Sequence, residues 1–285
     1  MHDLAPSSAW KRFWERGGGW KALLLAAAYY GVYELLGQLV GWVFPEETRG
    51  ESGGALDVFI ATALPIILAI VVLVLFGWSI GWLRELFGPQ PVRGRGWMWV
   101  GVGVVLAINV SALLSIDYAE AGFTLVATWL LTGLFIGFAE ELLTRGFVVN
   151  LMRKAGHGEI AVALVSAGIF AALHFGNVFT TDQGLVVTLI QVVYTFGFGI
   201  CMYLALRVTG NLIWPILIHA STDPTLFLHG EYPVEGSPLG LLSAFSTYVV
   251  IATGVVLLIV LIVSERRRAK AGTTDASALS EADAA

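Results

Sequence analysis

Along the chain, apolar residues come in runs too long for the interior of a soluble domain. They recur from Trp20 to Val263 with no long polar break between them. A helix that crosses a bilayer needs roughly 20 mostly apolar residues. Scanning for such runs, with Gly, Pro and charge as punctuation, predicts about eight: 20–44, 56–82, 97–116, 123–152, 159–179, 185–206, 212–228 and 241–263. The expected architecture is all-α, a polytopic membrane domain over 20–264 with a polar cavity inside it. A cytoplasmic segment, 1–19, precedes it and a tail, 265–285, follows. From Ala271 that tail is Ala, Ser, Thr, Asp and Glu, which reads as disordered. The seventh run is short and contains Pro215. A proline there frees a backbone carbonyl and predicts a bend lining a cavity.

Composition agrees with a bilayer: 57% of residues are hydrophobic and 13% charged, about half the charged share of a soluble domain. Mean hydropathy is +0.79. The formal charge of -5 and the confinement of Lys and Arg to short clusters exclude a nucleic-acid surface. Those clusters orient the chain. Lys11, Arg12, Arg16 and Lys21, then Arg84, Arg93 and Arg95, then Arg153 and Lys154, Arg207, and Arg266 to Lys270 all fall on one side of the eight runs. By the positive-inside rule both termini face the cytoplasm, and the expected location is the plasma (inner) membrane. The basic N-terminal segment reads as a retained signal anchor. A single cysteine, Cys201, excludes an intramolecular disulfide and a cysteine-cluster metal site.

Charge inside a bilayer is expensive, so each intramembrane ionisable residue needs a partner or a task. They concentrate in three runs. The fourth holds Glu140-Glu141 followed by Arg145, where Glu141 and Arg145 stand four apart on one helix face and Glu140 points about 100° away. The fifth holds Phe170 one turn before His174, and the seventh holds His219 one turn before Asp223. Counted along the helices, Glu140, His174 and His219 reach similar depth and can meet near the midplane. Gly133 and Gly137, a small-xxx-small pair, let another helix approach just before the carboxylates.

Such a set suits peptide hydrolysis. A buried carboxylate beside a His can deprotonate water while other polar groups hold the oxyanion. Alternatively His174, His219 and Asp223 can ligate Zn2+ or another divalent metal, with Glu140 as base. Asp223 tilts the balance toward metal, because an anion repels a developing oxyanion. Bland uses exist for each residue. Glu141 with Arg145 can be a structural ion pair, a lone membrane His is more often a hydrogen-bonding partner, and Glu34 with Gln38 reads as a contact to a neighbouring helix. His157 and His229 fall in expected loops and receive no role. Gly77-Trp78-Ser79-Ile80-Gly81 matches G-x-S-x-G but lies in an apolar helix, away from the strand-to-helix turn that motif requires. Gly197 and Gly199 read as a helix-packing or flexing point.

Taken together, Glu140-Glu141-x-x-x-Arg145, Phe170-x-x-x-His174 and His219-x-x-x-Asp223, in this order over residues 125–228, resemble the CPBP family of CAAX-processing and bacteriocin-processing intramembrane proteases, also called Abi. The resemblance implies an eight-helix membrane endopeptidase in which Glu140, assisted by His174, activates water. It implies that His219 and Asp223 bind the oxyanion or a metal, and that Arg145 fixes Glu141. Asp223 stands where Asn is commoner in the family. The expected partners are a peptide or membrane-protein substrate and the lipid bilayer. The rival readings are a non-proteolytic membrane partner, such as an immunity protein or sensor-kinase regulator, and a proton-coupled transporter. Absence of internal repeats disfavours the transporter.

Overall fold

The computed structural model of the protein describes residues 8–50, 53–181 and 183–283. Among these the chain is helical throughout and holds no strand, only an isolated bridge between Ile116 and Pro233. Hydrocarbon offers no partner to backbone N–H and C=O groups, so a crossing segment must bond them within itself. Eight long helices do this: α1 (Gly19–Val43), α2 (Leu64–Ile80), α3 (Trp99–Leu113), α4 (Phe123–Glu141), α5 (Glu159–His174), α6 (Leu185–Thr209), α7 (Ile213–Glu231) and α8 (Ser246–Asp283). A π-helical turn, Phe59–Ala63, leads into α2, and another, Leu142–Val148, continues α4 into Val149–Lys154.

Seven stretches among the described residues are long and apolar enough to cross a membrane. α7 is the exception, because His219, Ser221, Thr222, Asp223 and His229 dilute its hydropathy. Its polar side chains have to face protein. Trp20, Trp42, Trp78 and Trp99 are exposed near helix ends, where indole prefers the interface. The loops that the charge pattern puts on one side do meet there. Lys154 bonds Glu15 and Glu85, Arg153 bonds Gln90, Arg207 bonds the Arg93 carbonyl, and Arg95 bonds Ser264. At the other end Ser115 and Asp117 meet Val234, Tyr232 and Ser237.

Two close helix crossings set the interior. α7 packs most extensively against α4, with α3 on another side. A Cβ built on Gly133 would lie 2.5 Å from the Ala220 oxygen, and one on Gly137 would lie 2.7 Å from the Ala220 nitrogen and the Ile216 oxygen. Only glycine permits that approach, so the Gly133/Gly137 pair brings α4 and α7 together as the sequence anticipates. α6 crosses α8 where Gly197 faces Gly254, and a Cβ on Gly199 would touch Ala167 of α5 at 3.0 Å.

The proline that bears on α7 differs from expectation. Pro215 sits in the first turn of α7, whose N–H groups lack intrahelical partners in any case, so it breaks no bond. The proline inside the helix is Pro224, directly after Asp223, which cannot return an N–H to the Ala220 carbonyl. α8 continues as helix through 271–283, where the composition reads as a tail. The G-x-S-x-G stretch is a helix end: Ser79 accepts from Trp10 Nε1 and donates to the Phe76 carbonyl, and Gly81 is the left-handed cap.

Candidate active site

The site begins where α4 gives way to its π-helical turn. Glu140 and Glu141 are the last residues of the α-helix, and Leu142–Val148 follow with the wider winding. Such bulges loosen the regular bonding and recur at functional positions. Here hydroxyls cover the loosened carbonyls. Thr144 Oγ1 donates to the Glu140 carbonyl at 2.5 Å, and Ser166 of α5 donates to the Thr144 carbonyl at 2.9 Å.

Arg145 projects from this turn into the interior, fully buried. Its Nη1 bonds Glu141 Oε1 at 3.0 Å and Thr144 Oγ1 at 2.6 Å, its Nη2 bonds the Gly199 carbonyl at 2.9 Å, and the guanidinium lies over the Phe170 ring. A buried ion pair persists only when such additional bonds offset desolvation. The same Glu141 oxygen also accepts from His219 Nδ1 at 2.8 Å across the α4–α7 crossing. That bond fixes the ring: Nδ1 carries hydrogen toward Glu141, and Nε2 is left to face the cavity.

Two further carboxylates stand at that nitrogen. Glu140 Oε2 is 3.5 Å and Asp223 Oδ2 is 3.6 Å from His219 Nε2, and both side chains retain 27% exposure. Glu140 Oε2 is itself buried with no hydrogen-bond partner. Each carboxylate keeps one buried oxygen without a partner, but Glu141 is locked through its other oxygen between Arg145 and His219 and has no exposure, whereas Glu140 stands beside an accessible edge.

His174 closes the arrangement from the end of α5. It is half-buried, its Nδ1 donates to the Phe170 carbonyl at 2.9 Å, and it lies within electrostatic reach of Glu140. Phe170 stands edge-on to both imidazoles, with ring centroids 4.8 Å from His174 and 5.7 Å from His219. All six residues named from the sequence therefore gather in one place. The donor types would suit a divalent metal, but a three-ligand set needs its atoms around one point. Among the described residues no group of three or more His, Cys, Asp or Glu side chains is arranged that way. As placed, the residues do not fit an ion.

Other residues at the site carry no motif. Phe198 packs on His219 with centroids 4.9 Å apart, Gly199 supplies the carbonyl for Arg145, and Tyr29 and Tyr33 of α1 lie within electrostatic reach of Glu140. Asn109 of α3 bonds the turn that bears His219. A lone amide inside an apolar run was the signal available for Asn109, while the aromatic neighbours give none. His157 is exposed before α5. His229 lies in the last turn of α7, bonded to Ser243, and not in a loop. Glu34 pairs locally with Tyr30.

Residues 122–225 match the family described as type II CAAX prenyl endopeptidase, Rce1-like, and that stretch contains every residue of the site named from the sequence. No curated protein and no solved structure matches the chain. On the motifs, the site and this match together, the segment from 122 to 225 is an Rce1-like, type II CAAX prenyl endopeptidase domain of the CPBP family.

Proposed function

We propose that the protein is an intramembrane endopeptidase of the CAAX-processing type, cutting a peptide bond near the end of a membrane-associated protein or peptide. Both termini and the basic loops face the cytoplasm. The observation that carries this reading is Glu140 Oε2: a buried carboxylate oxygen without a partner, next to an imidazole whose orientation is already fixed.

In this scheme a water between Glu140 and the substrate carbonyl gives its proton to Glu140 as its oxygen attacks the carbonyl carbon. The electron pair displaced onto the carbonyl oxygen is met by His219 Nε2–H, with His219 carrying its second proton on Nδ1, opposite Glu141. Collapse of the tetrahedral species breaks the C–N bond. The departing amine takes the proton held at Glu140, with His174 beside it to relay that proton. Glu141 and Arg145 do not touch the reacting atoms. They hold the doubly protonated His219 ring in one rotation, so that its donor needs no reorganisation as charge develops.

Asp223 shares the His219 nitrogen with Glu140 and sets a second carboxylate beside it. This is a different task from that of a neutral amide at the same position. Metal-assisted hydrolysis would require His174, His219 and Asp223 to converge, and chelation tests it. The direct experiment on the main reading is Glu140→Gln, which keeps shape and removes the base. The expected result is a folded protein without cleavage, and parental cleavage would refute the assignment.

A further inference from the structure

The turn of α7 that carries His219 and Asp223 is poorly braced by its own helix. Pro224 denies the Ala220 carbonyl the N–H four residues on, and Gly133 of α4 leaves room against that carbonyl. Hydroxyls compensate within the turn: Ser221 and Thr222 both donate to the Ile218 carbonyl, and Thr225 donates to the Ser221 and Thr222 carbonyls. Such back-bonding bends helices and does not fix their rotation.

From the other side comes Asn109 of α3, 4% exposed. Its Nδ2 lies 2.9 Å from Ser221 Oγ, 2.9 Å from Thr222 Oγ1 and 3.4 Å from the Ile218 carbonyl. At about 3.6 residues per turn, Ile218, Ser221 and Thr222 form a face of α7 set roughly 130° around the helix from the one that presents His219 and Asp223. The amide therefore grips the catalytic turn on the side opposite the Gly133/Gly137 contact. Stability does not account for it. Asn109 Oδ1 is buried without a partner, and a buried acceptor left unmade is a net cost that an apolar residue of the same shape would avoid.

We propose that Asn109 is a positioning residue: its grip on Ser221 and Thr222 sets the rotation of α7 that keeps His219 between Glu141 and Glu140. The proposal rests on the reading of His219 as part of the catalytic set, and it has a readout independent of cleavage. Rotation of the turn displaces His219 Nδ1 from Glu141, which 15N spectra of the imidazoles report directly.

The experiment compares the full-length protein in detergent with Asn109→Leu, and with Ser221→Ala/Thr222→Val, which removes the acceptors without touching Asn109. Each is read by imidazole 15N spectra and by cleavage of a fluorogenic isoprenylated CAAX peptide. The expected result is a shifted His219 signal in both variants and kcat lower by on the order of 10- to 100-fold with KM within about twofold. Combining all three substitutions should cost little more than either set alone. Parental His219 signals in the folded variants overturn the proposal, whatever the cleavage. Should Asn109→Leu fail to fold, the acceptor variant decides by the same criterion. If the parental protein cleaves nothing, the endopeptidase reading fails, while the His219 spectra still judge the role of Asn109.

Discussion

Replacing Gly137 with Ala tests the link from helix packing to chemistry. The added methyl would sit 2.7 Å from the Ala220 nitrogen and from the Ile216 oxygen, both backbone atoms that cannot swing aside. Comfortable contact lies near ~3.5 Å, so α4 and α7 must part by roughly 0.7–1 Å. The bond from His219 Nδ1 to Glu141 is 2.8 Å long, and an opening of that size carries it to about the 3.5 Å limit of a useful hydrogen bond. Overpacking of this kind costs ~1–3 kcal/mol, offset by up to ~1 kcal/mol of helix propensity gained on leaving glycine. Net destabilisation is small, but a misplacement near 1 Å slows a preorganised site by ~10²-fold. Gly168→Ala in α5 is the control, since nothing lies within 4 Å of its Cβ position. Initial rates and thermal unfolding in one detergent should show Gly137→Ala folded and slow, and Gly168→Ala unchanged in rate. Parental rate and parental Tm in Gly137→Ala would refute the reasoning.

Further outcomes follow from the same geometry. Arg145→Leu strips the fully buried Glu141 of its guanidinium partner and leaves it only the His219 bond, and unfolding measurements should show a loss of ~3–5 kcal/mol. Changing both Glu141 and Arg145 to Leu should recover much of that stability but no cleavage. Outside the membrane, burial pushes the Glu15 carboxyl up, but bonds from Lys154 and Trp82 and the Lys154 charge outweigh it and leave it below the usual carboxylate value. Its stabilising contribution is therefore present above the unfolded carboxyl value and fades as pH falls through the folded one. The Tm of Glu15→Gln should trail the parental Tm at neutral pH and converge with it in acid, and a gap that persists in acid would contradict this. Chelation should leave cleavage within about twofold, given a donor set not gathered around one point. Loss of cleavage restored by stoichiometric zinc would instead put an ion among His174, His219 and Asp223.

Much of this was legible in the chain because a bilayer makes polar residues conspicuous. Glu140, Glu141, Arg145, His174, His219 and Asp223 stand out inside apolar runs, and the spacing of Gly133 and Gly137 marks the crossing that unites two of those runs. Spacing alone could not tell Pro215 from Pro224. Which proline breaks a bond depends on where the helix starts, and α7 starts only two residues before Pro215. Nor did it reveal the π-helical turn after Glu141, because the Glu141–Arg145 interval suits either winding. That Glu141 serves two partners, Arg145 and His219, is a tertiary fact; its sequence signature is the same as that of a simple ion pair. Asn109 was overlooked because one amide in a span has many satisfied interhelical uses, and only its position against the turn that bears His219 distinguishes it.

The most direct test of Glu140 as the base is cleavage of a fluorogenic isoprenylated CAAX peptide by the purified protein and by Glu140→Gln, each matched for thermal unfolding. Glu140→Gln should keep the parental Tm and lose activity by about 10²- to 10⁴-fold, the usual worth of a positioned general base. A folded Glu140→Gln protein that cuts at the parental rate would contradict it.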